Sequence, residues 1–141
     1  MKRRPPVRVL WVAKDSPTIS SGYGIVGKHF LPRLARRYGP ENILIHTPVF
    51  NQGEVRLWNG MRILGGTSHS YNEEIIEAHC REYGVTFVLW VGDWVHMQIA
   101  NQLAAEDKIL LLAWVPYDWG GIPQGLIDNT LRYAMRVVPW T

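Results

Sequence analysis

Four short segments constrain what this chain can become: Val7 to Ala13 (VRVLWVA), Asn42 to Thr47 (NILIHT), Thr86 to Val91 (TFVLWV) and Lys108 to Val115 (KILLLAWV). None alternates apolar with polar residues over its length, as a strand with one wet face would; each is apolar almost throughout, as a strand covered on both faces must be. Helical patterns separate them. From Gly22 to Tyr38 the residues Val26, Phe30 and Leu34 recur at i, i+4 and i+8, with Lys28, Arg33, Arg36 and Arg37 between them, the pattern of an amphipathic helix. Tyr71 to Tyr83 and Trp94 to Ala105 read as helices, as does Gln124 to Tyr133, and Arg136 to Pro139 reads as a last strand. Buried strands alternating with helices predict a Rossmann-like α/β fold: a mostly parallel sheet with helices on both faces.

Two local signals refine this. Asn59-Gly60 between Val55–Trp58 and Met61–Leu64 is the dipeptide of a tight two-residue turn and predicts an inserted β-hairpin. Pro32, inside the first helix pattern, predicts a kink there, or a helix that begins later than the glycines before it suggest. The 141 residues suffice for one domain, expected over residues 7–141 behind a basic tail of residues 1–6.

Composition narrows the function classes. The apolar run Ile109 to Val115 is far shorter than the roughly 20 residues of a membrane helix, and the basic opening MKRRPPVR lacks the apolar core of a signal peptide. A cytoplasmic protein is expected. The single cysteine, Cys80, allows neither an internal disulfide nor a cysteine metal cluster and reads as a packing residue. Residues 1–70 hold 11 Lys+Arg against 3 Asp+Glu and residues 71–141 hold 4 against 9, so a net +3 conceals +8 against −5. A basic half suits phosphates or a peripheral membrane contact. No aromatic-basic RNA signature accompanies it, and no nucleic-acid partner is expected.

In open α/β sheets ligands bind beyond the carboxyl ends of the strands. After the first strand comes KDSPTISSGYGIVG, which contains a literal G-x-G-x-x-G at Gly22, Gly24 and Gly27. A dinucleotide fingerprint sets its first glycine at the strand end and an acid after the second strand. Here eight residues intervene and the second strand ends His46-Thr47-Pro48. A loop of small residues opening a helix still suits an incoming phosphate, whereas the plain alternative is a turn with close helix packing. The other two strands end in Asp93-Trp94 and Asp118-Trp119. A carboxylate accepts hydrogen bonds from sugar hydroxyls and an indole stacks on a pyranose, so Asp93, Trp94, His96 and Trp119 are candidate acceptor contacts. Asp93 could equally cap the next helix. Trp11, Trp90 and Trp114 read as core, and His29, His69 and His79 as helix-face or loop residues. No His spacing suggests a metal, and no G-x-S-x-G elbow or P-loop is present.

Taken together, VRVLWVAKDSPTISSGYGIVGKHFLPRLARR, VTFVLWVGDWVHM, ILLLAWVPYDW and AMRVVPWT resemble the N-terminal half of GT-B fold glycosyltransferases, in particular the retaining, family 4-like enzymes. The resemblance covers nearly the whole chain. It implies transfer of a sugar from a nucleotide-diphosphate sugar to an acceptor, with retention and without metal or other cofactor. Ser21, Gly22, Tyr23 and Gly24 would meet the donor phosphate and sugar, and Asp118 would lie near the reaction centre. The family's second Rossmann domain, which holds most of the donor, is not found in these 141 residues; the resemblance therefore implies a C-terminal donor domain or separate subunit as partner. Two other readings stand beside it: a non-catalytic sugar- or nucleotide-binding module, and a dinucleotide oxidoreductase domain.

Overall fold

The computed structural model describes residues 6–48, 55–66, 73–93, 96–116, 124–126, 128, 132–134 and 136–140. In chain order the elements are β1 (Val9–Ala13), α1 (Gly22–Tyr38), β2 (Ile43–Thr47), β3 (Val55–Trp58), β4 (Met61–Gly65), α2 (Glu73–Glu82), β5 (Phe87–Val91), α3 (Gln98–Ala105), β6 (Leu110–Pro116), the single turn α4 (Gln124–Leu126) and β7 (Arg136–Trp140). A short 3-10 turn, Pro40–Asn42, joins α1 to β2.

The seven strands form one sheet in the order β3-β4-β2-β1-β5-β6-β7. All neighbours are parallel except β3 and β4. Those two pair antiparallel, Trp58 opposite Met61, across Asn59 and Gly60, both at positive φ (51° and 79°), as a turn matching strand twist requires. Setting aside β3, the parallel strands run third, second, first, fourth, fifth, sixth. This is the Rossmann order, and its direction reverses between β1 and β5. Pro139 lies in β7, an edge strand, where a missing N–H is tolerated.

Strand alternation divides the core. Val9, Trp11 and Ala13 join Ile43, Ile45, Leu89 and Val91 in a cluster with Leu31 of α1, whereas Leu10 and Val12 join Leu44, Val88 and Trp90 in a second cluster with Ile76 of α2 and Leu103 of α3. Every residue of β1 is buried, at about 1.5–3 kcal/mol for each large side chain. Cys80 belongs to the second cluster, and burial pushes its thiol up to about 12, an inert packing group. Among the described residues no helix is long and apolar enough to cross a membrane.

Several boundaries differ from expectation. α1 begins at Gly22 and runs 17 residues through Pro32; the proline does not delay it, because the Ser21 cap starts the helix ten residues earlier and burial of Leu31 anchors the turn before the proline. α3 begins at Gln98, not Trp94, with Met97 at its N-cap position and no side-chain cap. β6 begins at Leu110, since Asp107 takes φ 54° in the turn before it. Of the helix expected over Gln124 to Tyr133, Gln124–Leu126 is α-helical, Asp128 has π-helical geometry and Arg132 and Tyr133 lie in a turn; residues 127 and 129–131 lie outside the described residues. Trp114 is half-buried beside α1, unlike Trp11 and Trp90, which are fully buried.

Candidate functional site at the strand-order reversal

The reversal brings the ends of β1 and β5 together. Ala13 pairs with Val91, so the loop after β1 and the Gly92-Asp93 segment leave the sheet side by side. This is where two diverging crossovers open a crevice in a doubly wound sheet.

The β1–α1 loop is built from its own hydrogen bonds. Ser16, fully buried, accepts at its carbonyl from the Ile19 amide (3.0 Å) and at Oγ from the Thr18 amide (3.3 Å). The Ile19 carbonyl accepts from the Ser21 amide (3.0 Å). Ser21, at extended φ and ψ, caps α1: its Oγ accepts from the Gly24 amide at 3.1 Å. No acidic residue occupies the first turn of α1, while Arg36 and Arg37 occupy the last. The basic end thus complements the helix dipole, and the amino end carries no carboxylate to compete with an incoming anion.

The three glycines do different things. A Cβ at Gly24 would overlap the Ile19 carbonyl oxygen and lie 2.7 Å from that of Ser16, so this glycine is demanded by the loop folding back on the helix. At Gly27 a Cβ would meet Pro17, Leu31 and Trp11 at 3.5–3.7 Å, ordinary contact that demands no glycine. A Cβ at Gly22 would meet nothing within 4 Å among the described residues. Of the residues singled out in this loop, Gly22 offers open backbone, Ser21 commits an acceptor to capping, Gly24 is structural and Tyr23 is half-buried against the α1 cluster.

Asp93 is exposed at the end of β5. Its carbonyl accepts from the Trp90 indole (3.3 Å) and the His96 amide (3.4 Å). The alternative that its side chain caps α3 does not hold, because α3 starts five residues later. Its carboxylate stands on the same edge as Gly22, and His96 is exposed nearby in sequence. Trp94, Asp118 and Trp119 lie outside the described residues.

The carboxyl edge of β2 holds groups that the sequence did not mark. His46 and Thr47 are fully buried. Thr47 Oγ1 has no hydrogen-bond partner among the described residues; only its position just before Pro48 hinted at a strand-end polar group. His46 lies 5.4 Å, centroid to centroid, from His79 of α2. Both ring nitrogens of His79 are buried without a geometric hydrogen bond among the described residues. Its pKa lies below the ordinary 6.5: desolvation dominates, opposed by Glu82 and by the Gly65 carbonyl, which favours the charged ring without meeting hydrogen-bond geometry. A base with a depressed folded pKa binds fewer protons folded than unfolded. Its stabilising contribution is complete above the unfolded value of 6.5 and is lost as pH falls through the lower folded value. Thermal melts should therefore show stability falling as pH drops below the unfolded value of 6.5 and levelling once the folded value is passed, and His79→Phe should flatten that fall.

No group of three or more His, Cys, Asp or Glu residues among the described residues is arranged to hold a metal ion. The chain matches no known family model and no curated protein.

Proposed function

We propose that this chain is the acceptor-side, Rossmann-like half of a retaining glycosyltransferase of GT-B type. The observation that carries the reading is the loop between β1 and α1: eight residues, internally hydrogen-bonded, delivering a Ser-capped helix with an open glycine to the strand-order reversal. A dinucleotide domain needs a tight glycine turn directly after β1 and an acid after β2; this chain has the long loop and buried His46-Thr47 instead.

In this reading the donor diphosphate approaches the amino end of α1, where Gly22 has no side chain to obstruct it and the helix dipole favours negative charge. Asp93, on the neighbouring strand end, accepts hydrogen bonds from sugar hydroxyls. Asp118 and Trp119 follow β6 in sequence and keep the roles the resemblance implies, near the reacting carbon and the acceptor. The positive groups that stabilise the leaving diphosphate come mainly from a second Rossmann domain, and the protein works in the cytoplasm without metal.

One such domain supplies one wall of a cleft. The 141-residue chain should therefore give no sugar transfer by itself, and calorimetry should show nucleotide-sugar binding no tighter than roughly 1 mM, about −4 kcal/mol. In an enzyme containing a donor domain, Asp118→Asn should lower turnover more than tenfold, about 1.4 kcal/mol of barrier. Turnover by the chain alone, or micromolar NAD binding, sinks the proposal.

A further inference from the structure

Charge in this molecule is sorted by the sheet. α1, on one face, displays Lys28, Arg33, Arg36 and Arg37, all exposed, with no acidic residue in the helix. α2, on the other, carries Glu73, Glu74, Glu77 and Glu82 against a single Arg81 among its Lys and Arg positions. The two helices, packed on different core clusters, thus carry opposite net charge.

Two apolar features accompany the cations. Ile19 and Ile25 are 42% and 50% exposed at the amino end of α1, where a polar residue would cost nothing. Beside the helix a groove of about 350 Å³ runs over β5 and β6, lined by Phe30, Leu34, Tyr38, Leu89, Leu112 and Trp114 among other apolar residues. Its origin is topological. Right-handed crossovers from β4 to β5 and from β5 to β6 place α2 and α3 on the far face, so that of the three long helices among the described residues α1 alone packs on this one. At 100° per residue, Arg33 and Arg37 leave the helix about 60° and 20° to the same side of Phe30, close to a groove-lining ring; the Arg37 guanidinium lies 5.7 Å from the Tyr38 ring centroid.

A cationic helix, exposed isoleucines and an apolar groove with arginines beside it are complementary to one surface, which is anionic outside and hydrocarbon within. We propose that the α1 face docks on an anionic phospholipid bilayer. Lys28, Arg33, Arg36 and Arg37 meet the headgroups, Ile19 and Ile25 enter the interface, and an acyl chain enters the groove against Trp114. A nucleic acid would use the same cations and leave the isoleucines and groove idle. Ile19 and Ile25 lie beside Gly22 at the amino end of α1, so the docking face adjoins the candidate site; it stands whether or not the chain takes part in sugar transfer.

The test is co-sedimentation of the full chain with phosphatidylcholine vesicles, with and without about 30 mol% phosphatidylserine, in low and moderate salt. Binding should be at least about tenfold tighter to the anionic vesicles. Replacing Arg33, Arg36 and Arg37 together by Gln should abolish that preference while circular dichroism stays unchanged, and the uncharged change Ile25→Gln should weaken binding to the anionic vesicles with the net charge unaltered. Brominated acyl chains should quench fluorescence in the wild type and less in Trp114→Phe. Equal binding to neutral and anionic vesicles overturns the proposal, as does full binding by the triple variant. Tighter binding to a short DNA duplex, with Ile25→Gln neutral, also overturns it and assigns the face to a polyanion; absence of bromine quenching at Trp114 removes the groove from the docking surface.

Discussion

Gly24→Ala should cost about 2–4 kcal/mol of stability, combining overpacking against rigid backbone with loss of a helix cap. The added methyl would overlap the Ile19 carbonyl and crowd that of Ser16, and both carbonyls already accept bonds that shape the loop. Neither can retreat as the end of a flexible side chain could. The loop must shift, and with it Ser21, whose Oγ holds the Gly24 amide. Gly27→Ala is the control on the same helix: its methyl makes contacts of 3.5 Å or more, and replacing a helix-interior glycine should stabilise by about 0.5–1 kcal/mol. Urea denaturation of both variants checks the pair. Equal effects would mean that the loop does not seat on α1 as described.

Pro32→Ala should raise stability by about 2 kcal/mol. Proline in a helix interior is disfavoured by about 3 kcal/mol relative to alanine, and about 0.4–1 kcal/mol of that is returned because proline restricts the unfolded chain. Pro32 is half-buried in the middle of α1 and sits near Ala35, Arg36, Pro40, Asn59 and Met61. Alanine keeps the helix and restores an amide to bond the Lys28 carbonyl, four residues back. The same denaturation experiment reads the gain. A loss of stability would show that the ring's packing there outweighs the missing hydrogen bond.

The α/β class and the positions of β1, β2 and β5 were legible in the sequence. Strands buried on both faces are mostly apolar without alternation, and that signal is local; β2 departs from it only at its last two residues, His46 and Thr47. Asn59-Gly60 was legible for the same reason, since positive φ at two successive residues is a property of the dipeptide. Boundaries were less so. The run beginning at Lys108 looked like strand from its first residue, but the left-handed Asp107 turn delays β6, and helical periodicity after Asp93 did not mark where α3 begins.

What the sequence by itself determined is the set of elements and the composition of the loop that opens α1, because hydrophobic period, caps and turn residues act over a few positions. It could not separate Gly22 from Gly24. One stands in open space and the other under two carbonyls, a difference set by how the loop returns across the helix. Only the tertiary structure decided the strand order, and hence that the ends of β1 and β5 are neighbours. It alone buried His46 against His79 and set the basic α1 and the acidic α2 on different core clusters. These depend on which distant strands pair and on the hand of the crossovers between them, and that information belongs to the packing of the whole chain.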